Sequence, residues 1–247
     1  MEQVTTMSYR VIRRDYQKYN VAAGLPVDLY AHLISPVLTL LFVRAKVIPN
    51  VVTVLMMVSG VIGAVLFAIP QMGSKIAGLL FIHLWYVLDC SDGEVARINR
   101  QFSRFGKEID FTAHIVCHPL FNLAFAYSLV SMGRFNSQAI LFLAIVCISA
   151  ELVLRNLMAF RGIFEMKMGT PAVEPKRIST FRKALIPVLG VISVYPNFAL
   201  LFPIAYVVDS YLGTSIAFDY FCIFTAVACF FAARQSVQWV NTIARIS

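Results

Sequence analysis

The sequence predicts an all-α integral membrane protein with six transmembrane helices and an N-terminal interfacial amphipathic segment. Three observations lead there. Of 247 residues, 59% are hydrophobic and only 14% charged, far from the usual mix of soluble domains. Crossing a bilayer takes about 20 apolar residues, and the stretches 51–70, 76–97, 105–132, 137–160, 184–208 and 215–238 each qualify. With the N-terminus placed inside, only Lys75 and Arg134 of the 21 Lys and Arg residues fall outside, the asymmetry expected of cytoplasmic loops.

Taken in order, residues 1–18 are polar and basic and lack the apolar core and cleavage site of a signal peptide, so the N-terminus is expected to stay cytoplasmic. Residues 8–20 mix Tyr9, Val11, Ile12, Tyr16 and Tyr19 with basic residues, as an interfacial helix would. Residues 28–45 are more apolar, but Pro36 interrupts them and Arg44 and Lys46 close them. They are read as lying along the inner leaflet, with a seventh, re-entrant or spanning helix as the competing reading. Residues 1–48 thus form an N-terminal cytoplasmic or interfacial segment, and residues 49–247 a six-helix domain. Six spans return both termini to one side. The outer loops 71–75, 133–136 and 209–214 are short, the inner loop 161–183 is long, and long connections carry function more often. Pro187, Pro196 and Pro203 make the fifth span the one to kink.

The net charge of +8 comes with no recognition-helix pattern, zinc spacing or basic-aromatic groove, so nucleic acid is excluded as a partner. Anionic membrane lipid accounts for it better. The five cysteines form no CxxC pair and read as small apolar residues inside helices.

The chemistry sits where the second span meets the third. Asp89 and Asp92 interrupt an apolar helix and share one face, being three residues apart. Carboxylates at membrane depth point to function by default. Gly93 and Ala96 remove bulk beside them, so a ligand or a neighbouring backbone can come close. The third span opens with Gly106, Asp110 and His114, and His118 and Asn122 continue the stripe at four-residue steps. A short turn makes the two spans antiparallel neighbours, so Asp110 should stand level with Asp89 and Asp92. Three carboxylates and an imidazole suit a hard divalent cation, Mg²⁺ or Mn²⁺, held together with a phosphate-bearing substrate.

The run Asp89-Cys-Ser-Asp92-Gly93-Glu-Val-Ala96-Arg97, followed by Gly106 and Asp110 at fixed distances, resembles the CDP-alcohol phosphotransferase signature DxxDGxxAR-x8-GxxxDxxxD. Pro49-Asn50-Val-Val-Thr53 resembles an element at the start of that family's first span. The resemblance implies that Asp89, Asp92 and Asp110 bind metal, with His114 completing the set. It implies that Asn50, Thr53, Asp92, Gly93, Ala96, Arg97, Ser103 and Gly106 surround the cytidine and phosphates of a CDP-linked donor. It also implies a homodimer.

The departure is His114, where the family has a fourth aspartate. An imidazole can serve as ligand or base near neutral pH but brings no negative charge. The expectation is one firmly held metal, with His114 and Asp110 as the catalytic pair.

Blander readings stand beside these. An isolated DxxD could be a structural polar contact, and only the full constellation argues against it. His118 and Asn122 read as packing residues, and His83 receives no function. Glu151 and Arg155, four apart, read either as an internal ion pair or as part of an acceptor grip with Lys176 and Arg177.

The expected function is transfer of a phosphatidyl group from CDP-diacylglycerol to an alcohol acceptor, in phospholipid synthesis at a bacterial inner or plasma membrane. Alternatives are the same chemistry on a polyol or a glycan sugar, a non-catalytic CDP-lipid-binding or transport protein and, remotely, a prenyltransferase, whose second aspartate-rich motif is missing.

Overall fold

A computed structural model describes residues 7–17, 26–168 and 190–244, which contain helices and no strand. The first described helix, α1 (Tyr9–Val11), runs into a π turn at Ile12–Tyr16, and Gln17 is extended. Residues 18–20 of the helix expected over 8–20 lie outside the described residues. Among the described residues the longer helices with given bounds are α2 (Pro26–Arg44), α3 (Pro49–Ala68), α4 (Met72–Asn99), α5 (Gly106–Ser131), α6 (Ser137–Met168), α7 (Tyr195–Leu212) and α8 (Ile216–Ala244), and residues 190–193 are helical as well.

Local chemistry sets most ends. Pro49 opens α3, where a missing N–H costs nothing. Ile69 is extended because Pro70 follows it, and α3 stops there. Arg100 (φ 53°) and Gly213 (φ 74°) take left-handed conformations that close α4 and α7.

Among the described residues, four helices are long and apolar enough to cross a membrane: Pro49–Ala68, Gly106–Ser131, Ser137–Phe164 and Ile216–Ala244. The second expected span is a helix of 28 residues, α4, whose C-terminal half carries the acidic motif. The fifth begins among residues outside those described. Leu80 on α4, Phe142 and Ile145 on α6, and Phe230 and Val240 on α8 are more than half exposed. An outward apolar surface of this extent suits lipid contact. Lys75, expected in an outer loop, is instead buried in the first turn of α4. Its Nζ donates to the Phe67 carbonyl (2.9 Å) and Ser128 Oγ (2.8 Å), satisfying the end of α3.

Two close approaches set the register of the site. A Cβ placed on Gly78 would stand 2.5 Å from Phe67 N and 2.8 Å from Gly63 O, so the backbones of α3 and α4 touch. At the other end of this contact Thr53 lies against Asp92. Beyond the site, rings of α5, α7 and α8 stack: Phe125 on Phe202 (4.3 Å) and Phe198 on Phe224 (4.1 Å).

α2 follows α4 lengthwise. Tyr30 Oη bonds to His83 Nδ1 (2.6 Å), and farther along Ser35 and Thr39 bond to Glu94. Polar side chains thus pair the two helices over about three turns.

Candidate active site

Asp89 and Asp92 are carried by the C-terminal half of α4, and Asp110 and His114 by the first turns of α5. The connecting turn is held by Ser103, whose carbonyl accepts from Gly106 N (3.3 Å) and whose Oγ accepts from Phe105 N (3.2 Å). Antiparallel packing then brings three of the four side chains together. His114 Nε2 lies 3.2 Å from Asp89 Oδ1 and 3.3 Å from Asp110 Oδ1. One ligand atom from each of Asp89, Asp110 and His114 falls within 4.8 Å of the others. The group grades from 13% exposed at His114 to 46% at Asp110, so Asp110 is at the mouth. The Trp85 ring meets the His114 imidazole edge-on at 5.5 Å and closes the inner side.

Asp92 stands beside this group. Its Oδ2 accepts from Thr53 Oγ1 (2.7 Å), which turns the carboxylate toward α3. There a cleft of about 290 Å³ opens between α3, α4 and the start of α5. All eight residues expected around a CDP group line it: Asn50, Thr53, Asp92, Gly93, Ala96, Arg97, Ser103 and Gly106. Asp110 also lines it, so the cleft ends at the carboxylate–imidazole group. Asn50 Nδ2 donates to Ser103 Oγ (3.3 Å), tying the first span to the turn.

Sequence reasoning missed Lys107, Gln101 and Phe102, which complete the lining. Their signal was position alone, within a turn read only for its Ser103 and Gly106. Lys107 adds a second cation beside Arg97 in this cleft. Arg97 Nε donates to the Tyr16 carbonyl, so the N-terminal segment also reaches the site.

Of the two readings of Glu151 and Arg155, an internal ion pair is not among the described salt bridges, and both side chains meet His118 instead, Glu151 Oε2 at 3.8 Å from its Nδ1. Arg155 Nε donates to His118 Nδ1 (3.2 Å), and its Nη2 lies 2.9 Å from His118 Nε2. His118 is buried and stacks on Tyr195 at 3.5 Å, while Tyr195 Oη donates to the His118 carbonyl (2.7 Å). The packing role read for His118 is thus a specific one: it braces Arg155 behind the carboxylate–imidazole group, at 5.3 Å from the His114 ring. Lys176 and Arg177 lie outside the described residues. Of the cysteines, Cys117 and Cys147 are buried, and the other three are half-buried.

Two carboxylates, which are hard donors, and an imidazole nitrogen, which is a borderline one, lie close enough together to hold a small divalent cation, and this donor set fits one.

A comparison with curated proteins returned no match. The family model described as CDP-alcohol phosphatidyltransferase matches residues 46–241, which take in the whole cleft and the Asp89–Asp110–His114 group. Its members are divalent-metal-dependent transferases that take a phospho-alcohol group from a CDP-alcohol. With its apolar helices, the protein is an integral membrane transferase of substituted phosphate groups. The chain belongs to the CDP-alcohol phosphatidyltransferase family.

Proposed function

We propose that the protein transfers a phosphatidyl group from CDP-diacylglycerol to a membrane-surface alcohol, releasing CMP. The observation that carries this reading is the cleft itself, which holds every residue expected around CDP and ends at Asp110, beside His114. A lipid donor suits a site between helices that expose apolar side chains to the bilayer.

Asn50, Ser103 and Gly106 take the cytidine end, while Arg97 and Lys107 offset the pyrophosphate charge. Asp89 and Asp110, with Asp92 at the donor side, would hold Mg²⁺ or Mn²⁺, which leaves the lone pair of His114 Nε2 for the proton. The bound ion would neutralise charge building on the phosphates as CMP leaves. His114 Nε2 takes the acceptor's hydroxyl proton, and Asp89 and Asp110, at 3.2 and 3.3 Å, stabilise the imidazolium that results. The alkoxide oxygen bonds to the phosphorus distal to cytidine, the bond from that phosphorus to the CMP oxygen breaks, and CMP departs with the electron pair. Arg155, with Lys176 and Arg177, receives an anionic acceptor such as a phosphorylated polyol.

Six spans place both termini and the cleft on the cytoplasmic side of a bacterial inner membrane, and two copies pair as a homodimer. Residues 1–48 cover the inner face, and residues 49–247 form the catalytic bundle.

The test is CMP release by purified protein with CDP-diacylglycerol, Mg²⁺ or Mn²⁺ and pooled acceptors. Metal-dependent CMP that vanishes in Asp92→Ala supports the reading, and splitting the pool identifies the acceptor. Tight CDP-diacylglycerol binding with no CMP release from any acceptor, and none gained in His114→Asp, would mark a non-catalytic lipid-binding relative instead.

A further inference from the structure

Glu94 lies inside the acidic motif yet faces away from the cleft. It is 1% exposed, and a buried carboxylate is costly unless donors satisfy it. Three converge. Oε1 accepts from Ser35 Oγ (2.7 Å) and Gln17 Nε2 (2.9 Å), and Oε2 accepts from Thr39 Oγ1 (2.6 Å). Ser35 and Thr39 come from α2 and are fully buried, whereas Gln17 ends the N-terminal segment. The second amide proton of Gln17 reaches the His32 carbonyl (2.8 Å). Ile12, fully buried, and the bond from Tyr9 Oη to the Leu33 carbonyl (3.0 Å) pin the rest of the segment.

This docking has a consequence in the cleft. The residue before Gln17 is Tyr16, whose carbonyl accepts from Arg97 Nε. With Nε held, the Arg97 guanidinium lies across Gly93, on the cleft floor. Arginine carries large rotamer freedom, and fixing one nitrogen removes much of that cost before a phosphate arrives. We propose that Glu94 and Gln17 form a latch that docks residues 9–17 onto α4, so that the Tyr16 carbonyl preorganises Arg97 for the donor's pyrophosphate. The N-terminal segment is then a working wall of the nucleotide site. Gln17 and Glu94 are positioning residues, acting through Arg97. This rests on the reading of the cleft as a CDP site.

The experiment uses the full chain in detergent and measures CDP affinity by calorimetry with Mg²⁺, together with donor KM and kcat. Gln17→Ala is expected to weaken CDP by about tenfold, the scale of one hydrogen bond to a charged group. Gln17→Glu, which sets carboxylate against carboxylate, should weaken it further. The exchange Gln17→Glu with Glu94→Gln restores a donor–acceptor pair and should recover most of the loss. In an Arg97→Ala background Gln17→Ala should cost nothing more, because the effect passes through Arg97. The rise is expected in donor KM, with kcat within about threefold. Equal CDP affinity in wild type and Gln17→Glu overturns the latch, as does full additivity of the Gln17 and Arg97 changes. Wild-type protein that binds no CDP defeats the functional reading itself, and this inference with it.

Discussion

A Cβ built on Gly93 would lie 3.0 Å from Nη1 of Arg97, so the guanidinium of one motif residue rests on the backbone of another. The glycine four residues before the arginine leaves space for the cation to lie along the helix and face the cleft. Tyr16 holds the other side of the same guanidinium, which limits how far it can yield.

Gly93→Ala should therefore separate stability from activity. Alanine favours the helix by about 1 kcal/mol over glycine, so the thermal midpoint should hold or rise. Donor KM should rise by about tenfold, corresponding to about 1.4 kcal/mol of lost donor contact. A KM unchanged in CMP-release assays would show that Arg97 need not lie where it does.

Loss of the carboxylate–imidazole group should act on metal response and turnover. Asp89→Ala and Asp110→Ala are expected to abolish Mg²⁺-stimulated CMP release. His114→Ala should lower kcat by about 10²–10⁴, the usual contribution of a general base. A loss under about tenfold would remove His114 from that role. His114→Asp, which adds a negative charge, should lower the Mg²⁺ concentration giving half-maximal activity, read from a metal titration.

Arg155 should affect the acceptor and not the donor. Arg155→Lys keeps a charge but loses the planar guanidinium whose Nε donates to His118 Nδ1. The expected result is an acceptor KM raised by about tenfold or more with CDP affinity unchanged by calorimetry. A matching loss of CDP affinity would place Arg155 in the donor site instead.

Gly78→Ala should damage the fold. Its Cβ would meet backbone atoms of Phe67 and Gly63, which cannot rotate away. Overpacking of this kind costs about 1–3 kcal/mol, so thermal unfolding in detergent should begin several degrees lower. Gly73→Ala, where a Cβ meets nothing within 4 Å, is the control and should leave the midpoint in place or raise it.

Much of the site was legible in the sequence because its parts are local. Asp89 and Asp92, or Asp110 and His114, share a face wherever their helix goes, since three- and four-residue steps return to one side of an α-helix. A short turn then forces α4 and α5 side by side. Apolar runs give the helices by the same logic, and all eight residues expected around CDP line one cleft.

What the sequence by itself determined, then, was which residues carry the chemistry and on which helix each one rides. The tertiary structure alone decided their partners. Asp92 turns to Thr53, leaving Asp89, Asp110 and His114 as the convergent set, because the rotation of α3 against α4 is set by the contact at Gly63 and Gly78. Glu94, a blank position within the motif, acquires Gln17, Ser35 and Thr39 from parts of the chain far from it. Arg155 exchanges its helical neighbour Glu151 for His118 on another helix. Spacing along one helix specifies a direction around its axis, but the residue met in that direction depends on the register and rotation of the next helix, which long-range packing decides.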